Sequence, residues 1–302
     1  MVLVRRARVG ALVLTAVGLA AAVTATLPAQ AAAPAYAPGD VVTVNGISVT
    51  APTTAGAVAL SVDRADGNSQ ILLVTTDSAG RVTVSDDSDA AAGATAQVPP
   101  PKCNDPAFSV INGSSWPSTY NWNFRKATTP NEMTRKAATR ELKKAVNNNT
   151  NANNGCGLAD QVSLTNNYRG STTQASDVNS VPACAPSPGN QNVTEFGPIN
   201  GGGGNILAAT CTYSTGSNGT IVAADVRINT NFEWWEGTGS CSGSTFGLQG
   251  VQTHEYGHAV GMGHVSEATS GNLTMSTNIN GTCSNFEASL GKGDVLGLNS
   301  LY

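Results

Sequence analysis

The sequence predicts an α+β domain with a cleft beside a twisted sheet, preceded by a small β-rich segment. Three observations predict it. Residues 32–100 hold only short alternating runs separated by turn residues. Residues 101–302 mix strand-like runs with stretches at helical spacing. All six cysteines and all three histidines fall in that second part, and strands with separate helices packed on them are the α+β arrangement.

The first 31 residues read as an export signal. Arg5, Arg6 and Arg8 give a positive start, residues 10–27 an apolar core, and Ala29-Gln30-Ala31 a small-residue cleavage site. A secreted, extracellular protein is expected, with no membrane attachment once the signal is removed. Residues 32–100 read as a pro-region and linker. Runs at 41–44, 57–62, 71–75 and 82–84 are short strands, parted by turn chemistry at Asn45-Gly46, at residues 65–68 and at residues 78–80. The segment is acidic: Asp40, Asp63, Asp66, Asp77, Asp86, Asp87 and Asp89 face only Arg64 and Arg81. Residues 85–101, rich in Asp, Ala and Gly and closing on three prolines, read as the linker before a second domain at 101–302.

That domain starts with a strand at 120–124, whose aromatics Tyr120, Trp122 and Phe124 share one face. Thr129-Pro130-Asn131-Glu132 has the form of a capping box and predicts a helix start, with Met133, Ala137, Ala138, Leu142, Ala145 and Val146 at helical spacing. The asparagine-rich run 147–154 ends that helix as a solvated loop. Strands follow at 162–168, 192–196, 206–213 and 221–229, and a second helix at 246–261. Residues 206–212 are the expected sheet edge, where an extended peptide could add as a further strand. Gly201 to Gly204 form a flexible loop and no phosphate cradle, because no Gly-Lys-Ser/Thr follows.

Composition excludes some functions. With 16 Lys+Arg against 20 Asp+Glu and 5% aromatics, no nucleic-acid partner is indicated. Cys103, Cys156, Cys184, Cys211, Cys241 and Cys283 are an even number, which in an oxidising compartment predicts three disulfides. No C-x-x-C pair offers a thiolate metal site or a redox dithiol.

The chemistry is concentrated in His254-Glu255-Tyr256-Gly257-His258-Ala259-Val260-Gly261-Met262-Gly263-His264, which holds every histidine of the chain. On a helix, His254 and His258 point from one face, one turn apart. Glu255 lies beside them, able to flank a metal without ligating it. A continuous helix would carry His264 about 9 Å beyond His258. The chain must therefore double back, and Gly261 stands where a positive φ would end the helix. Three imidazoles and one open position make a catalytic zinc site. In it a water of lowered pKa would be the nucleophile and Glu255 the general base.

The full string H-E-x-x-H-x-x-G-x-x-H resembles the zinc signature of the metzincin metalloendopeptidases. Met275, in Leu273-Thr274-Met275-Ser276, lies where metzincins place the methionine turn beneath the metal. Residues 290–302 look like the C-terminal helix of matrixins, in which Asp294 would hold the methionine turn through backbone hydrogen bonds. Trp116 and the aromatic strand after it look like the start of a matrixin catalytic domain. No tyrosine follows Met275 where astacins keep a fifth ligand. The chain thus resembles secreted bacterial matrixin-like proteases.

The resemblance implies a twisted, mostly parallel sheet with an antiparallel edge strand, a long helix before the cleft, an active-site helix and a C-terminal helix. It implies one catalytic Zn2+ on His254, His258 and His264, with Gly261, Met275 and Asp294 supporting the site. The implied activity is a secreted zinc endopeptidase acting on extracellular proteins or peptides as a monomer, through a zinc-bound water activated by Glu255. The alternative is a secreted zinc-containing binding module without turnover. The second, structural zinc usual in matrixins has no histidine left for it. Calcium, common in matrixins, has no recognisable loop here, and Asp177 and Asp225 are its candidate ligands. Linking Cys241 to Cys283 would clamp the metal helix and the methionine turn to one frame, worth about 4 kcal/mol as a loop closure. Proximity suggests Cys103 with Cys156 and Cys184 with Cys211. Two roles are open to Cys103: residues 101–106 look like the cysteine-switch segment that keeps matrixin zymogens latent, but a thiolate on zinc would leave an odd cysteine.

Overall fold

The computed structural model describes residues 35–87, 98–216, 219–279 and 281–302. The expected export signal, 1–31, lies outside them, as does most of the expected linker. The chain opens with a hairpin, β1 (Val41–Val44) and β2 (Ile47–Thr50). Its turn holds Asn45 at φ 49° and Gly46 at φ 79°, the paired positive angles a two-residue hairpin loop requires. A meander follows: β3 (Gly56–Arg64), β4 (Gln70–Thr76) and β5 (Val82–Asp86). Next come β6 (Ser109–Val110), β7 (Thr119–Phe124), α1 (Arg135–Thr150), β8 (Thr165–Ser171) and β9 (Val193–Gly197). They are followed by β10 (Ile206–Thr215), β11 (Ile221–Asn229), β12 (Glu233–Trp235) and β13 (Thr245–Gly247). The chain closes with α2 (Leu248–Ala259), β14 (Met262–Gly263), α3 (Glu267–Ser270) and α4 (Lys292–Leu301).

Eight of these strands form one mixed sheet in the order β5-β4-β3-β10-β11-β9-β7-β8. β11, β9, β7 and β8 run parallel, whereas β10 is antiparallel to β11 and the meander continues antiparallel from it. β10 was expected at an edge. Instead, β3 pairs along its outer side from Gly56 to Arg64. Val58, Leu60 and Val62 of β3 are buried and alternate onto one face, which the β1–β2 hairpin covers. Residues Ala35–Tyr302 form one compact unit.

The two faces of the sheet carry separate cores. On one, Tyr120, Trp122, Phe124, Leu207, Ala208, Val226 and Ile228 pack with Leu142 and Val146 of α1, Val251 and Tyr256 of α2 and Val295 and Leu298 of α4. On the other, Val58, Leu60, Val62, Ala209, Cys211 and Tyr213 pack with the β1–β2 hairpin. Even-numbered positions of β10 from Ala208 to Thr212 therefore look at α2.

Helix α1 starts later than its sequence suggests. The Thr129 hydroxyl donates back to the Lys126 carbonyl at 2.9 Å, and the helix opens only at Arg135. Thr134 caps instead, its hydroxyl accepting from the Ala137 N–H at 3.1 Å. The helix also runs on through Asn148 and Asn149, which were expected in a solvated loop and are buried. The Asn149 amide donates to the carbonyls of Ala145 (3.2 Å) and Thr253 (2.9 Å), and Asn148 donates to the Thr253 hydroxyl (3.0 Å) and the Ala288 carbonyl (2.8 Å). These amides tie α1 to α2 at the residue before His254. Replacing Asn149 by Ala removes the buried amide that joins the Ala145 and Thr253 carbonyls, and denaturant unfolding should show a loss of about 1–3 kcal/mol. A loss under about 0.5 kcal/mol, the range of an ordinary surface substitution, would refute the tie.

Candidate metal centre

Helix α2 brings His254 and His258 to one side, and the chain turns back immediately after it. Gly261 takes φ +98°, and a side chain there would run into the Ser114 carbonyl. The carbonyls released at this helix end are all used: Ala259 accepts from the Trp116 indole (2.8 Å), Val260 from the Tyr302 hydroxyl (2.7 Å) and Gly261 from the Ile111 N–H (2.7 Å). The turn carries His264 back onto the other two histidines. His258 Nε2 lies 2.9 Å from His254 Nε2 and 3.1 Å from His264 Nε2.

The opposite ring nitrogens fix the tautomers. Nδ1 of His254 faces the Thr274 carbonyl at 2.7 Å, that of His258 the Met262 carbonyl at 2.9 Å, and that of His264 Asp87 Oδ2 at 2.9 Å. Each partner is an acceptor, so each Nδ1 carries the proton and donates it. Three Nε2 lone pairs are thereby aimed at one another, an arrangement that only a cation or a proton between them can stabilise. A tetrahedral metal with bonds of about 2.0–2.1 Å would separate such nitrogens by roughly 3.3 Å, close to the spacing here. The donors fit a zinc ion.

A fourth donor completes the cluster, and no sequence signal had singled it out. Asp63, near the end of β3, places Oδ1 2.9 Å from His254 Nε2 and 3.1 Å from His264 Nε2, and Oδ2 3.5 Å from His258 Nε2. All four residues are buried, and among the described residues they form the one group of three or more suited to a metal. Burial opposes the charge on Asp63, but the three imidazoles hold its carboxyl well below the usual range. Asp63 Oδ2 is a buried oxygen without a hydrogen bond, which again points to a cation. The helpful signal was the alternation of β3. Ala57, Ala59 and Ser61 make its other face small, and Asp63 ends that face.

Glu255 is buried beside the cluster. Its Oε2 accepts from the Thr210 hydroxyl of β10. Burial and then the neighbouring Asp63 push its carboxyl well above the usual range. Beneath α2, a side chain at Gly257 would collide with the Met275 sulfur, so Met275 packs directly on the helix backbone. Asp294 holds the segment carrying that methionine, accepting from the N–H groups of Thr274 (2.9 Å), Met275 (3.1 Å) and Gly291 (2.7 Å). The cysteines pair as Cys103–Cys156, Cys184–Cys211 and Cys241–Cys283, so Cys103 is not a thiol facing the centre.

Three imidazoles, a buried glutamate one residue from the first of them, and a methionine under the helix thus lie together around one buried cluster. Residues 187–302 match the family model of the matrixins, a metalloprotease family that uses zinc, and this stretch of the chain is matrixin-like. The match contains the three histidines, Glu255, Met275 and Asp294, and leaves out Asp63 and Asp87. No curated protein matches the chain.

Asp177 and Asp225, the candidate calcium ligands, do come together. Asp225 Oδ1 accepts from the Val193 N–H (2.9 Å) and Asp177 Oδ2 from the Gly189 N–H (2.7 Å). Burial first, and then Asp177, push the Asp225 carboxyl well above its ordinary value, and burial raises Asp177 as well. The folded protein thus holds a proton that the unfolded chain loses near pH 4. The stability this proton contributes is full below that pH and lost as pH rises through the raised value. With divalent ions chelated, Asp225→Asn should therefore melt about a few degrees above the parent at pH 8 and no higher than it at pH 4. An equal difference at both pH values would overturn the assignment.

Proposed function

We propose that this chain is a secreted zinc endopeptidase that hydrolyses peptide bonds of extracellular proteins, with a metzincin-like catalytic domain. The observation that carries it is the convergence of three tautomer-fixed Nε2 atoms beside a buried Glu255, within a matrixin-like stretch. His254, His258 and His264 would hold the zinc. When bound, the metal supplies a Lewis acid that lowers the pKa of water and polarises the scissile carbonyl. Glu255, steadied through Oε2 by Thr210, would take a proton from the attacking water and return it to the leaving amine. Met275 supports the metal helix through Gly257, and Asp294 fixes the methionine turn. β10, which holds Glu255 in place, would offer an extended peptide its edge only with β3 displaced from it.

Support for secretion is the signal-like sequence at 1–31 together with three disulfides. Among the described residues no helix is long and apolar enough to cross a membrane. Residues 32–100 are read as a pro-region with linker, and 101–302 as the catalytic domain.

One observation favours a second reading, a zinc-containing binding module without turnover. Asp63 adds a fourth donor, and four protein ligands are the mark of a structural zinc. Cleavage separates the two. Protein recovered after export should cut an unfolded protein substrate, and a chelator or Glu255→Ala should each abolish the cutting, while Glu255→Ala retains about one zinc per chain. Undiminished cutting by a zinc-loaded Glu255→Ala protein would sink the mechanism.

A further inference from the structure

The peptidase reading needs an open metal position and a free strand edge, and both are taken by the same segment of this chain. We propose that residues 35–87 are a built-in inhibitor, with Asp63 as the fourth metal ligand and β3 lying in the place of the substrate. The proposal rests on the peptidase reading.

Four features carry it. The first is coordination: Asp63 Oδ1 and Oδ2 reach all three Nε2 atoms, filling the one position that a catalytic site leaves for water. The second is the strand edge, since β3 pairs antiparallel with β10 over its whole length and uses the backbone groups that would bind an extended peptide. The pairing slips by one residue between Ile206 and Ala208, next to Asp63. Such a slip re-aims a side chain, and here it accompanies the carboxylate's approach to the cluster.

The third feature is fit. Ala57, Ala59 and Ser61 face α2 with small side chains, which lets the strand lie close to the helix that carries two of the histidines. The fourth is a second grip: Asp87, just after β5, accepts from His264 Nδ1 at 2.9 Å. One segment therefore holds His264 by both ring nitrogens. Removing it would open the fourth position, free the β10 edge and release His264 Nδ1. A thiolate latch is not available, because Cys103 is bonded to Cys156.

The test uses the full chain loaded with Co2+, whose visible spectrum reports its ligands, in a Glu255→Ala background so that the segment is not lost by self-cleavage. Acetohydroxamate, a small metal-binding probe, is titrated into it. The spectrum should be unmoved while Asp63 is present, whereas Asp63→Ala should bind the probe at least about tenfold more tightly, the gain from lifting about 1.4 kcal/mol of competition. Asp63→Asn, of the same size and with the strand pairing intact, should respond in the same direction, and closed disulfides in both variants check folding. A spectrum that responds equally with Asp63 intact overturns the latch, whether or not peptide is cut. Peptide cleavage with Glu255 restored is read separately. If the Asp63 variants take up the probe but cut nothing, the latch stands and the peptidase reading falls.

Discussion

A carboxylate with no water around it must be neutralised, and at the centre of this protein that requirement falls on Asp63. Leaving such a charge uncompensated costs several kcal/mol. The group sits in a fully buried strand and faces three imidazoles whose lone pairs point at each other. Neither half is tolerable alone. Three converging lone pairs repel, and the carboxylate has one oxygen without a hydrogen bond. A divalent cation between them satisfies all four donors at once. The structure around the site is arranged to hold both halves at that spacing.

Much of that arrangement is backbone. Carbonyls of Thr274 and Met262 set two of the tautomers, and these carbonyls are themselves held by neighbouring segments. Thr274 and Met275 hang from Asp294 at the start of α4, and Val265 bonds to the Met275 carbonyl at 2.8 Å. Thr253 is fixed by two asparagines of α1. The metal helix is thus gripped from below by the methionine segment, from the side by α1 and at its end by Trp116 and Tyr302. Such a frame keeps donors in place before any ion arrives, which is what lets a metal bind without reorganising the protein. The Cys241–Cys283 bridge joins the approach to α2 with the segment that follows the methionine turn.

The convergence of His254, His258 and His264 was legible in the sequence because its cause is local. Helical spacing fixes two of the rings, and a glycine fixes the reversal that returns the third. Most strands were legible for the same reason, since alternation and turn residues are read within a few positions. Asp63 was not, because its partners lie almost two hundred residues later and nothing in an acidic, β-rich segment distinguishes one aspartate from six others. Register alone decides which of them reaches the cluster. The asparagine run failed differently. Composition marks an amide as polar but does not reveal whether a buried carbonyl awaits it, so Asn148 and Asn149 read as solvated although they join two helices. The position of β10 follows from the same limit: a strand is an edge only until another segment of the chain pairs with it.

Holding the site shut with a carboxylate suits this chain's chemistry. All six cysteines are committed to disulfides, so a thiolate latch would leave an unpaired cysteine in the oxidising setting that favours those bonds. A carboxylate needs no redox protection. It is also a harder and less tenacious ligand than a thiolate for a borderline-soft ion, so it can hold the position while its strand is anchored and yield it when the strand leaves. The burden of retention then falls on β3, through its pairing with β10 and the apolar face formed by Val58, Leu60 and Val62. In this arrangement the strength of the latch is a property of the sheet, and the metal bond decides where the latch closes.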